Sequence, residues 1–140
     1  MHINGGCHCG DIKYEADIDP ESVGICHCTD CQILTGTAYR TTVQSLPGAF
    51  KLLNGTPKIY IKTAESGNQR AHGFCPRCGT PLYATTVGTP DIHGIRVGTI
   101  TERRLLAPKR QGWCRSALDW VMNIDALPKS PMQQIGRAHV

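Results

Sequence analysis

Seven of the chain's eight cysteines fall into three tight clusters. They are Cys7-His8-Cys9, Cys26-His27-Cys28-Thr29-Asp30-Cys31 and Cys75-Pro76-Arg77-Cys78-Gly79. Seven thiolates divide most simply into four and three. A four-thiolate zinc is saturated and structural, whereas a three-thiolate zinc keeps one position for water or substrate. The pattern therefore predicts two metal sites, one holding the fold and one open for chemistry.

Two rival chemistries compete for these cysteines. Disulfides at two- and three-residue spacing would close very small, strained rings. The start of the chain, Met1-His2-Ile3-Asn4-Gly5-Gly6, has neither the basic residues nor the apolar core of a signal peptide, so the expectation is a cytoplasmic protein. Cysteine clusters in that compartment are metal-binding or catalytic far more often than oxidised. Iron–sulfur ligation uses longer cysteine series than the C-x-C-x2-C found here. Zinc is the favoured ion.

Cys75 and Cys78 are spaced to grip one ion from the tip of a tight turn, with Gly79 free to adopt the positive φ such a turn needs. They supply half a tetrahedral site. Cys7 and Cys9 are the available second pair, and joining the pairs would tie the N-terminal strand to the middle of the chain. Cys26, Cys28 and Cys31 remain, with no fourth ligand nearby in sequence. His8 reads as a spacer with an exposed ring. His27, between two ligands, points away from the metal as a spacer or supports the site from behind. Two readings stand for Cys114: a small buried apolar side chain, or a fourth ligand that closes the three-cysteine site.

At 140 residues the chain has the size of one domain. No apolar run approaches the length of a membrane span. The formal charge of +4 suggests a basic protein, but seven thiolates and two divalent ions would reduce it to roughly +1. That weakens any nucleic-acid reading. Arg103-Arg104 and Lys109-Arg110 are then ordinary solvated charges.

Fifteen glycines and nine prolines cut the chain into short segments. Ile12, Tyr14 and Ala16 alternate as one face of a strand. Further strands are expected at 39–43, 82–87 and 95–100. Phe50-Lys51-Leu52, the turn signal Asn54-Gly55 and Lys58-Ile59-Tyr60-Ile61-Lys62 predict a hairpin. Helix is confined to residues 30–35, stopped by Gly36, and a short piece over 116–122. The expected class is mainly β, with small antiparallel sheets clamped by zinc. The domain is expected to span residues 3–128, with 129–140 as a tail. The last six residues, Ile135-Gly136-Arg137-Ala138-His139-Val140, read as a non-native adapter translation and are set aside.

Three stretches together resemble one family: Gly5-Gly6-Cys7-His8-Cys9-Gly10, Cys26-His27-Cys28-Thr29-Asp30-Cys31, and Phe74-Cys75-Pro76-Arg77-Cys78-Gly79-Thr80-Pro81-Leu82-Tyr83. It is the glutathione-dependent formaldehyde-activating enzyme and centromere protein V family. The resemblance extends to Gly36 and to Ser116-Ala117-Leu118-Asp119-Trp120. It implies a β-tent fold of two or three small sheets. It also implies a structural zinc on Cys7, Cys9, Cys75 and Cys78, and a catalytic zinc on Cys26, Cys28 and Cys31. The position of Cys114 is not a ligand in that family. The implied activity is that of a carbon–sulfur lyase, combining glutathione or a similar small thiol with formaldehyde or another small aldehyde.

A three-thiolate zinc is a weak Lewis acid but deprotonates a coordinated thiol. The expected chemistry is therefore thiolate delivery to a carbonyl. His27, Asp30, Tyr39 and His72 are the candidate proton carriers. Arg40, Arg70 and Arg96 are the candidate contacts for the carboxylates of glutathione, or else ordinary strand-face charges. The competing classes are a zinc-stabilised protein- or nucleic-acid-binding module and a zinc or thiol sensor.

Overall fold

The computed structural model describes residues 1–133. The expectation for residues 135–140 falls outside them. The chain is mainly β, as its alternation predicts. Its strands are β1 (His2–Gly6), β2 (Lys13–Cys26), β3 (Arg40–Asn54), β4 (Lys58–Thr63), β5 (Gln69–Phe74), β6 (Pro81–Thr86), β7 (Gly94–Arg96) and β8 (Arg110–Gly112). One α-helix, α1 (Thr29–Thr35), and four short 3-10 segments complete the described residues.

Hydrogen bonding joins the strands into a single path, β1-β2-β3-β7-β6-β5-β4, with β8 on β2. The expected small sheets are therefore continuous with one another. Neighbours along the path are antiparallel, while β8 runs parallel to β2. Register shifts between Ala16 and Ile18 and between Asp19 and Gly24 interrupt the β2–β3 pairing. Such irregularities bend a strand. The two long strands thus serve two regions: their outer halves meet near β1, and the Cys26 end of β2 meets Arg40.

The core follows from the period-two pattern. Ile12, Tyr14, Ala16 and Ile18 all face inward and are buried with Ile3, Val23, Val43, Leu82, Ile95 and Ile100. Tyr14 is satisfied there by a 2.6 Å hydrogen bond with the Thr99 hydroxyl.

Two local expectations are corrected. Strands β3 and β4 do not form a hairpin: β3 pairs with β2 and β7, and β4 pairs with β5. The Asn54-Gly55 turn is real, with φ +82° at Gly55. However, an added Cβ there would lie 2.5 Å from the Asp11 carbonyl oxygen, and Asn54 Nδ2 donates to that same oxygen at 2.9 Å. The turn is pinned against the start of β2, and the chain leaves in a new direction. The second correction concerns residues 95–100. Only Ile95 and Arg96 extend as strand; Val97–Thr99 coils into a 3-10 turn across which Thr99 Oγ1 donates to the Arg96 carbonyl at 2.8 Å.

Candidate metal centres and active site

Both pairs of the first cluster sit at hairpin tips. Cys7 and Cys9 lie in the β1–β2 connection, closed by Gly10 N–H to the Cys7 carbonyl at 3.2 Å. Cys75 and Cys78 lie in the β5–β6 connection, closed by Gly79 N–H to the Cys75 carbonyl at 2.9 Å. Gly79 adopts φ +80°, the conformation expected of it. The tips are held together by His8 N–H donating to Thr80 Oγ1 at 3.1 Å and by the Arg77–Asp11 ion pair at 3.2 Å.

The four sulfurs lie within 4.8 Å of one another. Cys7 and Cys9 Sγ are 3.5 Å apart, and Cys9 and Cys75 Sγ 3.7 Å. A tetrahedral zinc with Zn–S of about 2.3 Å sets S···S at about 3.8 Å, well beyond the disulfide bond of about 2.05 Å. Backbone N–H groups also point at sulfur, from Ile12 to Cys7 at 3.2 Å and from Cys78 to Cys75 at 3.5 Å. Hydrogen bonds of this kind favour thiolates. The donor set fits a divalent, thiophilic ion.

The second cluster is built by the end of β2 and the start of α1. Cys26 closes β2, opposite Arg40 of β3. Cys28 is the N-cap of α1, where its sulfur accepts from the Cys31 N–H at 3.3 Å. The helix ends at Gly36 in the left-handed conformation (φ 69°), whose N–H bonds the Gln32 and Ile33 carbonyls. The sequence places both ends correctly within a residue. Cys26, Cys28 and Cys31 bring their sulfurs within 4.8 Å, and no other His, Cys, Asp or Glu among the described residues completes the group.

The thiols of this cluster differ in acidity. Burial resists ionisation of Cys28, but the Cys31 N–H and the neighbouring sulfurs outweigh it and lower its pKa. Burial and the sulfurs of Cys28 and Cys26 push Cys31 up to about 12. Adjacent thiols therefore compete for ionisation, and a bound cation relieves that competition.

The proton-carrier candidates do not converge. His27 is buried, 1% exposed, with Nε2 2.8 Å from Gln111 Oε1 and no partner on Nδ1. Its ring meets Tyr39 edge-on at 5.6 Å. His27 and Tyr39 share one cavity wall with Cys114. Cys114 is exposed and outside the three-sulfur group. It is therefore neither the closing ligand nor the buried apolar side chain expected.

Asp30 lies elsewhere, ion-paired with Lys62 at 2.9 Å. That bond with Asp30 raises the Lys62 pKa. Both line an open groove with Cys28, Trp113, Arg115 and Ser116. Lys62 was missed from sequence because strand alternation marks it only as an exposed position.

His72 occupies a third place. Its Nδ1 accepts from Arg96 Nη2 at 3.2 Å, which puts its own proton on Nε2. Burial, and then Arg96, lower its pKa to about 4. His72, Arg40 and Arg96 line one cavity of about 320 Å³ with Leu34, Tyr60 and Tyr83. Arg40 is 6% exposed. Burial, and then Arg40, lower the Arg96 pKa to about 9. Arg70 reaches away to Thr86 Oγ1 at 3.0 Å and is not part of that lining.

Fold and clusters together define a cysteine-clamped β-sheet protein, with one four-thiol group of metal-binding geometry and a second three-thiol group at a helix start. The sequence model of the glutathione-dependent formaldehyde-activating enzyme family matches residues 2–116, and the chain belongs to that family. A crystal structure of a Rhodobacter sphaeroides protein shares the fold, with a TM-score of 0.59 and 18% identity over 77% of this chain and 98% of that one. No curated protein matches this chain.

Proposed function

We propose that this chain is a zinc-dependent carbon–sulfur lyase-type enzyme, adding a small thiol such as glutathione to formaldehyde or another small aldehyde. Family membership supports a glutathione-related, formaldehyde-activating function in general. The observation that carries the finer reading is the three-thiol group without a fourth protein ligand among the described residues, its Cys28 opening onto a groove. In this reading Cys7, Cys9, Cys75 and Cys78 hold a structural zinc, and Cys26, Cys28 and Cys31 hold a second.

Bound at the second group, zinc would supply an electrophilic centre that lowers a substrate thiol's pKa. The chain's own residues do the rest. The groove beside Cys28 admits the thiol and aldehyde. The sulfur lone pair forms the C–S bond, the carbonyl π pair moves to oxygen, and the proton lost from sulfur ends on that oxygen. The Lys62 ammonium, ion-paired with Asp30, lines the same groove as Cys28 and is the candidate to offset charge on the developing alkoxide. Arg40, cross-strand from Cys26, offsets the negative charge of the thiolates. His27 and Tyr39 buttress the loop, through Gln111 and their mutual edge contact. Among the described residues no helix is long and apolar enough to cross a membrane, and a cytoplasmic setting would keep all these thiols reduced.

Native mass spectrometry with and without glutathione tests the reading, together with 13C-formaldehyde exchange NMR. Two zinc ions per chain, one of them glutathione-sensitive, and accelerated exchange are expected. Two ions indifferent to thiol, with no acceleration, would sink it and favour a binding module.

A further inference from the structure

The cavity between α1, β3, β5 and β7 has a charge that the addition of formaldehyde does not need. Arg40 is more than nine-tenths buried and Arg96 is half-buried, and both line it. The Nε atoms of both are shielded and unpartnered. Neither forms an ion pair with a carboxylate among the described residues. Uncompensated charge is expensive to hold away from water. Three thiolates with a divalent ion carry about −1, enough to offset one guanidinium. The second remains.

The rest of the lining is apolar or neutral: Leu34, Phe74, Pro81, Tyr83 and uncharged His72. His72 Nδ1 accepts from Arg96 and so helps fix that guanidinium. Two planar forks over an apolar floor are the recognition chemistry of a carboxylate. Formaldehyde is neutral and has only two heavy atoms, so it makes no use of them.

We propose that this cavity is the binding site for one carboxylate of a reactant, held by Arg40 and Arg96. The site deepens the thiol–aldehyde reading and rests on it only for which reactant bears the carboxylate. An acidic thiol and an oxo-acid aldehyde are the two sources. Arg70, directed at Thr86, takes no part.

Titration calorimetry on the zinc-loaded protein tests this with two probes. S-Methylglutathione carries carboxylates but no free thiol; glyoxylate is a small carboxylate-bearing aldehyde. Saturable binding of at least one probe is expected, near one equivalent. Arg96→Met should weaken it at least tenfold. Leu34→Glu, at an exposed position on the cavity rim, should do the same by placing a competing carboxylate there. Lys13→Met, in a different groove, should leave binding unchanged. Binding of S-methylglutathione alone assigns the carboxylate to the thiol, and of glyoxylate alone to the aldehyde. Binding of both, in competition, supports the site for either.

No binding of either probe to folded protein overturns the site, as does binding that survives both variants. Turnover of 2-mercaptoethanol, a thiol with neither a carboxylate nor an amine, with formaldehyde reads the thiol–aldehyde chemistry separately. Carboxylate binding without turnover of any thiol would retain the site and reject the reaction. Turnover without carboxylate binding would do the reverse.

Discussion

His72 shows how one residue's surroundings redirect its use. A histidine near pKa 6.5 titrates close to neutrality, but burial and Arg96 hold this one to about 4. It is thus a neutral hydrogen-bonding group at pH 7. The stability consequence has a definite sign. Between pH 6.5 and about 4 the unfolded chain binds a proton that folded His72 refuses, so stability falls as pH falls through that window. Urea midpoints at pH 7 and pH 5 should therefore drop less for His72→Gln than for wild type. Losses from cysteine protonation are shared by both proteins and cancel in the comparison. An equal drop would show that His72 does not titrate this way. The sequence made His72, Arg40 and Arg96 visible as candidates but not as neighbours. They lie on three strands, and only the β3–β7–β6–β5 order brings them together. Lys62 and Gln111 escaped notice for the same reason: each works through a partner at least 32 residues away, Asp30 and His27.

Hairpin tips are the elements that carry the first cluster; the Cys75–Gly79 tip was legible because C-x2-C-G specifies a tight turn, whereas Cys7 and Cys9 were legible only as the remaining pair. What joins them is metal geometry rather than sequence proximity. Cys78→Ser should therefore abolish the folded state in cell extracts and circular dichroism. Cys28→Ser should stay folded, lose one zinc and lose formaldehyde exchange. Equal loss of folding in both would refute the division into structural and catalytic groups. The β3–β4 hairpin was misread because Asn-Gly specifies a turn but not the strand that follows it. Gly55 packs on the Asp11 carbonyl, which sends the chain toward β5 instead. Gly55→Ala adds both a positive-φ penalty and that clash, and should cost roughly 2 kcal/mol or more in denaturant unfolding. A change below about 0.5 kcal/mol would show that the turn is not pinned there.

The whole molecule is held from two directions. A buried core of Ile, Val, Leu and Tyr side chains lies beneath the sheet, and two hairpin tips meet at the four-thiol group. The four-plus-three division of thiols was open to counting, and the structure gathers the same two sets. The split of His27 with Tyr39, Asp30 with Lys62, and His72 with Arg96 into three places was not, because the members of the last two pairs lie on different elements that only the strand order brings together. Under the two-ion reading this architecture predicts ordered metal loss. The three-thiol group lies at the junction of one strand end and one short helix, so emptying it disturbs no pairing among β1, β2, β5 and β6. The four-thiol group joins two hairpins distant in sequence, so its metal affinity is folding free energy. Titration with a chelator should release the first zinc with the β-sheet circular dichroism signal intact. The second should leave only as that signal collapses. Zinc release followed by a metallochromic dye alongside circular dichroism reads both events. Simultaneous release of both ions with unfolding would mean that the second group also holds the sheet together, and that it is not a separable chemical site.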